Sequence, residues 1–536
     1  MDKITYPGQN QMAGLLKSIT SQYVGIIAFF ISFLLSPWFY YSWRGLNSDG
    51  ILYVRLAYLI NTYDFNIALI EYDWPFFSVL IATVSNFAHL SYITSAYLLD
   101  AVFLGFSALF FVEITKKLGG NVRTQWLAAF VFLSFETVIN YRVTIFRDPG
   151  YWAFYLSAFY FFLQFAKSMS LKDASLWFFS VATAICFRIE GTMLLLLTPL
   201  AVFFFNGLTL SKKFKLYLSL YLPFITLCFI ATIIALHEKS LFKIIWNTIL
   251  NIIKTHIGTL SFISNFLHKV AIFNDNILPP TAKQGSAFII LFSGLTVYFI
   301  YKLFLGLGVL NTVMILGTKN KKVIPFETNQ KLIFIWILTI SLILPYNFIF
   351  QAEFINTRYL VSSTITLLLI VPFMLNYGIS HPHMSLRSFF SSQKSDNPKK
   401  KSIFCLKTLL ILYLIAGLGN FTFLFVKEYY TNWQSANVQA NIWLTAQRKV
   451  LAGIVCSSNT WPVFAVEGEG MSISQVNSHI EVLMPSESHC EYIVLVDKPS
   501  RKIRLKMLQE SPGWRLVKTF TGLKKERNVY LFQRNH

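Results

Sequence analysis

Four stretches of this 536-residue chain set acids beside arginines in ways that could do chemistry. Asp49 stands in NSDGILYVRLAYL, Arg147 and Asp148 in FRDPGYW, Arg188 and Glu190 in CFRIEGT, and Arg358 in NTRYL, five residues after Glu353. A carboxylate within hydrogen-bond reach of a hydroxyl can take its proton and make it a nucleophile. Arginine offers paired donors that match phosphate oxygens and can steady charge on a leaving oxygen. Plainer roles compete at each position. Asp49 could cap a helix, Arg147–Asp148 before Pro149 could simply start one, and Arg188 with Glu190 could be a structural ion pair at a helix break. Other chemistries lack their residues. No CxxC, HExxH, phosphate-loop or dinucleotide fingerprint occurs, and the five cysteines show no metal-ligand spacing.

The elements that must position these residues are membrane helices. Hydrophobic residues make up 55% of the chain and charged residues 13%, with 53 Phe and a mean hydropathy of +0.53. A soluble domain carries about a quarter charged residues. Lipid leaves backbone polar groups unsatisfied, so each long apolar run must be a helix. The runs predict about eleven spans, near 22–42, 93–115, 125–141, 150–167, 174–187, 189–206, 216–236, 286–315, 332–350, 358–379 and 404–426. The first is too long for a cleavable signal peptide. The fold class is therefore mostly α, a polytopic helical bundle over 1–429.

Loop charge fixes the orientation. The net charge of +21 falls mostly in short loops, which excludes a nucleic-acid footprint in favour of the positive-inside pattern. Reading 174–206 as two helices split at Arg188 collects Lys116, Lys117, Lys212, Lys213, Lys321 and the run Lys399–Lys401 on one side. One long helix would scatter them. The N-terminus is then cytoplasmic, and Asp49, Arg147, Asp148, Arg188, Glu190 and Arg358 all face outside. The long segments 43–92 and 237–284 lie there too, the first reading as amphipathic helices on the membrane with Pro75 in the first turn of the second. From 430 to 536 the pattern becomes that of a soluble α/β domain. A helix is expected over 434–448 and another near 500–510, with strands at AGIVCSS, WPVFAVE, CEYIVLVD, GWRLVKTFT and NVYLFQR. Cys456 and Cys490 lie at two of these strands, either as a disulfide or as two buried thiols.

The ordered set of motifs resembles the GT-C glycosyltransferases, the class containing protein O-mannosyltransferases and the lipid A aminoarabinose transferase. SDGILYVRLA, with Asp49 and Tyr53, resembles the family's acidic first-loop motif, and YDWPFFSVL the Pro-containing segment after it. FRDPGYWAFYLSAFYFF is similar to the second acidic loop, FRIEGTMLLLLTP to the Gly-containing join before the sixth helix, and TRYLVSSTITLLL to a late Arg-Tyr segment. Gly50 stands where many relatives have a second acid. The resemblance implies transfer of a sugar from a polyprenyl-phosphate donor to a hydroxyl on a lipid, glycan or protein, in a bacterial inner membrane with the C-terminal domain periplasmic. It implies Asp49 as base with Asp148 second or orienting the acceptor, and Arg358, then Arg147 and Arg188, on the donor phosphate. Tyr53, Glu190 and Tyr359 would touch substrate. The resemblance makes no cofactor certain and leaves a divalent metal open. A transporter or flippase for a lipid-linked substrate is the alternative, although charges gathered at one face and the lack of an inverted repeat speak against it.

Overall fold

In the computed structural model the described residues are 21–37, 46–237 apart from 64, 262–279, 285–316, 324–380 and 411–419. The C-terminal part is described over 436–447, 455–457, 460–468, 490–497, 513–521 and 528–535, with a few single residues besides. Two compact units emerge: Met1–Ser32, Phe103–Val138 and Asp148–Leu418 form one, and Phe33–Val102, Ile139–Arg147 and Gly419–His536 the other. The boundary expected at 429/430 lies outside the described residues.

Among the described residues, four helices are long and apolar enough to cross a membrane: Tyr92–Lys117, Ser286–Leu307, Thr328–Ala352 and Thr357–Ser380. With the composition, they make this an integral membrane protein. Several expected spans are interrupted, each for a local reason. The run 286–315 becomes Gly285–Leu307 and Val309–Leu316, because Gly308 takes φ +79°, a conformation open to glycine. The run 125–141 becomes Val122–Leu133 and Glu136–Tyr141. The split expected at Arg188 is present: helix Leu171–Phe187 ends there with Arg188 extended, and helix Gly191–Leu197 follows. Only 411–419 of the expected last span is described, as helix.

Prolines inside the first unit free carbonyls, and side chains cover them. Pro199 opens a 3-10 segment, Thr198–Phe204, and has no N–H for the carbonyl four residues back. That carbonyl, on Leu195, accepts from the Tyr221 hydroxyl at 3.1 Å, and the nearby Leu197 carbonyl accepts from Trp336 Nε1 at 2.8 Å. Pro345 inside helix Thr328–Ala352 likewise frees Ser341, whose carbonyl accepts from Ser363 Oγ at 2.8 Å. In lipid an uncovered carbonyl would cost several kcal/mol, on the order of a lost hydrogen bond or more.

The second unit holds the first-loop helices Ser48–Thr62, Phe65–Glu71 and Phe76–Ala88, with Pro75 as N-cap of the last. It also holds a four-stranded sheet of β1 (Val455–Ser457), β2 (Tyr492–Asp497), β3 (Trp514–Phe520) and β4 (Asn528–Arg534), ordered β1-β2-β4-β3. β1 pairs parallel to β2, and the other two pairings are antiparallel. The central β2 is apolar from Ile493 to Val496 because both faces are covered there. Val494 and Val496 pack with Ala440, Leu444 and Val529 on one side, and Ile493 and Leu495 with Trp514 and Phe532 on the other. Helix Ala436–Ala446 is as expected, and the one expected near 500–510 lies almost wholly outside the described residues. WPVFAVE is not a strand but the helix Thr460–Glu467. Pro462 cannot donate in a ladder yet fits a helix's first turn, and burial recurs at Pro462, Ala465 and Gly468 with helical spacing. Cys456 and Cys490 form a disulfide, their Cα atoms 5.8 Å apart.

Candidate active site

Two glycines bring the FRDPG and FRIEG stretches together. Asp148 starts helix Asp148–Ser168. A Cβ on Gly150, in its first turn, would overlap the Phe187 ring, so the end of helix Leu171–Phe187 can seat directly on it. A Cβ on Gly191 would press on the Ile185 backbone, so the chain can turn back at once after Arg188. Arg188 is thereby delivered onto Asp148.

The arginine is the hub of the cluster. Its Nη1 donates to Asp148 Oδ1 and its Nη2 to Glu190 Oε1. Asp148 is fully buried, whereas the Glu190 side chain keeps 29% exposure. Burial by itself works against the Arg188 charge. The two carboxylates outweigh it and hold the guanidinium above its ordinary value. Arg358, in the short 3-10 turn Thr357–Leu360, places Nε 3.7 Å from the other Asp148 oxygen. The turn is set by Asn356, whose side-chain oxygen accepts from the Arg358 N–H at 3.1 Å. The Tyr359 ring lies between the two cations, its centroid 5.2 Å from the Arg188 guanidinium and 5.6 Å from that of Arg358, within cation–π range.

These groups form the polar end of a cavity of about 300 Å³. Arg188, Glu190 and Arg358 line it together, Gln351 is also in its lining, and Met193, Leu194, Ile340, Leu344 and Pro345 supply its apolar wall. Two cations and one anion line the space, with Asp148 buried behind them. Arg188 is committed to two carboxylates, so Arg358, at 21% side-chain exposure, is the cation better placed to meet a ligand's anion. Residues not singled out from sequence also serve here. Gln351 and Asn347 line the cavity one helical turn apart, and Lys269 donates to the Gln351 carbonyl at 2.5 Å and pairs with Glu353 at 2.9 Å. The i, i+4 spacing of Asn347 and Gln351 in an apolar run was the readable signal.

The remaining expected residues belong to the second unit. Asp49 is half-buried in the first turn of helix Ser48–Thr62. Tyr53, 3% exposed, meets the rings of Tyr72 and Phe77 edge-on. The Arg147 guanidinium sits 5.6 Å from the Tyr72 ring centre, so Arg147 and Tyr53 share one aromatic neighbour. Arg55 and Glu71 form a two-bond pair at 2.6 and 3.0 Å. Gly50 has a steric reason. A Cβ there would come within 2.9 Å of Ile145 Cβ. Among the described residues no group of three His, Cys, Asp or Glu side chains could hold a metal ion.

No protein-family model matches the chain, and no curated protein matches its sequence. Its structural neighbours are ArnT and AglB. ArnT from Cupriavidus metallidurans bound to undecaprenyl phosphate is 10% identical, with a TM-score of 0.45 over 96% of this chain and 97% of that one. The same protein in the apo state gives 10% and 0.47 over 97% and 98%. The archaeal oligosaccharyltransferase AglB from Archaeoglobus fulgidus, in complex with an inhibitory peptide and a dolichol-phosphate, gives 12% and 0.47 over 89% and 69%. At 10–12% identity these likenesses are distant, and the site is read from its own residues.

Proposed function

We propose that the chain is a membrane glycosyltransferase that moves a sugar from a polyprenyl-phosphate donor to an acceptor hydroxyl on the extracytoplasmic face. The observation that carries this reading is the cavity. Its polar end presents Arg358 beside the Arg188–Asp148–Glu190 cluster, and its wall is apolar, which suits a ligand with a phosphate head and a hydrocarbon tail. The first-loop motif adds the rest. Asp49 takes the proton of the acceptor hydroxyl, and that oxygen attacks the anomeric carbon as the carbon–phosphate-oxygen bond breaks. The transition state is oxocarbenium-like. Arg358 steadies the charge arriving on the departing phosphate, with Arg147 and Arg188 as further phosphate-binding candidates. Asp148 orients Arg188 and Arg358 from its buried place, while Tyr53, Glu190 and Tyr359 are assigned to substrate contact. The roles need no resident metal, and the Gly50 position offers no second carboxylate for one.

The reading includes an eleven-span bundle over 1–429 in a bacterial inner membrane, a cytoplasmic N-terminus and an extracytoplasmic domain over 430–536. The Cys456–Cys490 disulfide supports that side, since such bonds persist in oxidising compartments. The test is binding of undecaprenyl phosphate to the purified protein. Arg358→Ala should weaken it by roughly tenfold to a hundredfold, the worth of hydrogen bonds to a charged group. Arg358→Lys should recover part, keeping the charge but losing the paired geometry. Equal affinity in wild type and Arg358→Ala would remove the phosphate from this pocket.

A further inference from the structure

Within the second unit, the first turn of helix Ser48–Thr62 is gripped from two sides. Asn47 makes no side-chain cap bond to that helix. Its amide goes instead to Ile145, donating to the carbonyl at 2.9 Å and accepting from the N–H at 3.0 Å. A helix start without its side-chain cap leaves its first N–H groups to other partners and depends on packing to stay in place. Helices Phe65–Glu71 and Phe76–Ala88 pack along the rest of the helix, and at its first turn the C-terminal end of the chain adds to the packing. Ile51 is fully buried against Leu46, Trp461 and Phe464. Trp461 also packs on the apolar core of helix Ala436–Ala446 and the sheet. Helix Thr460–Glu467, which carries both aromatics, begins three residues after β1, and β1 holds the disulfide cysteine Cys456.

We propose that Trp461 and Phe464 are positioning residues for sugar transfer, through which the C-terminal domain sets the place of the Asp49 carboxylate. The inference rests on the reading of Asp49 as the base. Ile51 follows Asp49 by two residues, about 200° around the helix, so the aromatics hold the face opposite the carboxylate. The domain thus belongs to the working site rather than being a passenger on the membrane part. Gly50 fits the same account: between the residue that reacts and the residue that is held, only a hydrogen fits against Ile145 and Asn47.

Hydrogen exchange on the full chain in detergent tests the positioning directly. In Trp461→Ala/Phe464→Ala, amides of residues 50–55 should exchange about tenfold faster, with those of β2 and β4 unchanged. Trp461→Phe, which keeps an aromatic on Ile51, should restore slow exchange. Ile51→Ala approaches the contact from the other partner, leaves the C-terminal core untouched, and should reproduce the fast exchange. Function is read from the polyprenyl-phosphate sugar that accumulates in cells lacking the protein. Wild type and Trp461→Phe should clear it, whereas the double alanine variant, Ile51→Ala and Asp49→Asn should not. Undecaprenyl phosphate should bind the double alanine variant as it binds wild type, which separates misplacement of the base from loss of the donor site. Unchanged exchange over 50–55, or clearance by both Ile51→Ala and the double variant, would overturn the inference. If cells lacking the protein accumulate no such lipid, the glycosyltransferase reading falls, and the exchange result alone decides whether the domain holds the helix.

Discussion

Asp148 and Asp49 are both acids beside a helix start, and their surroundings give them different work. Asp148 is fully buried, with one oxygen on Arg188 and the other 3.7 Å from Arg358. Removing one partner of a buried pair leaves an uncompensated charge, a loss of about 3–5 kcal/mol. Asp148→Asn should therefore lower the unfolding midpoint in detergent sharply. Glu190→Gln should lower it less, because Glu190 keeps contact with the cavity. A midpoint unchanged in Asp148→Asn would mean that Arg188 is held by something else. Asp49 is half-buried and sits at the end of an ordered helix. Asp49→Asn should abolish transfer, leaving expression and the unfolding midpoint at wild-type values. Turnover near wild type at matched protein levels would take Asp49 out of the mechanism.

At the scale of elements, the site depends on how closely helix ends approach one another. The start of helix Asp148–Ser168 and the end of helix Leu171–Phe187 touch where Gly150 has no side chain. Phe187 is buried, and its ring also packs at 5.0 Å on Phe103 and at 5.9 Å on Phe154, so it has little room to retreat. Gly150→Ala adds one carbon at this contact. Overpacking of this kind costs about 1–3 kcal/mol, and here it would push Arg188 from Asp148. The expected outcome is a lower unfolding midpoint together with weaker undecaprenyl phosphate binding. If Gly150→Ala binds the carrier as wild type does, the seating of Phe187 does not set the position of Arg188. Pro345 acts at the same scale. It lies in the cavity wall, and Ser363 covers the Ser341 carbonyl left without its helical donor.

For the molecule as a whole, the proposed topology rests on charge and redox chemistry. In the proposed eleven-span topology basic loops stay in the cytoplasm, and with the helix break at Arg188 residue 536 is expected outside. The Cys456–Cys490 bond agrees with that compartment. A reporter that works only outside the cytoplasm, fused after His536, should be active, and one that works only in the cytoplasm should be silent. The reverse pattern would mean that 174–206 does not cross twice.

The sequence alone was enough for the class of the protein, the break at Arg188 and the strands β1 to β4, because hydropathy, period and charge are local properties of the chain. Strand WPVFAVE was misread for the same reason: an apolar stretch of seven residues suits either period, and only burial against two neighbours, Ile51 and the sheet, made it a helix. The acids and arginines of the site were visible as residues, and the local pair Arg188–Glu190 could be read as one, but the long-range pairings could not. That Arg188 would hold Asp148, that Arg147 would rest on Tyr72, and that Gly50 and Gly150 would be contact points are matters of approach between segments about 40 to about 100 residues apart. An ion pair or a close contact forms where the tertiary fold brings two groups within a few ångströms, and no local pattern encodes that distance.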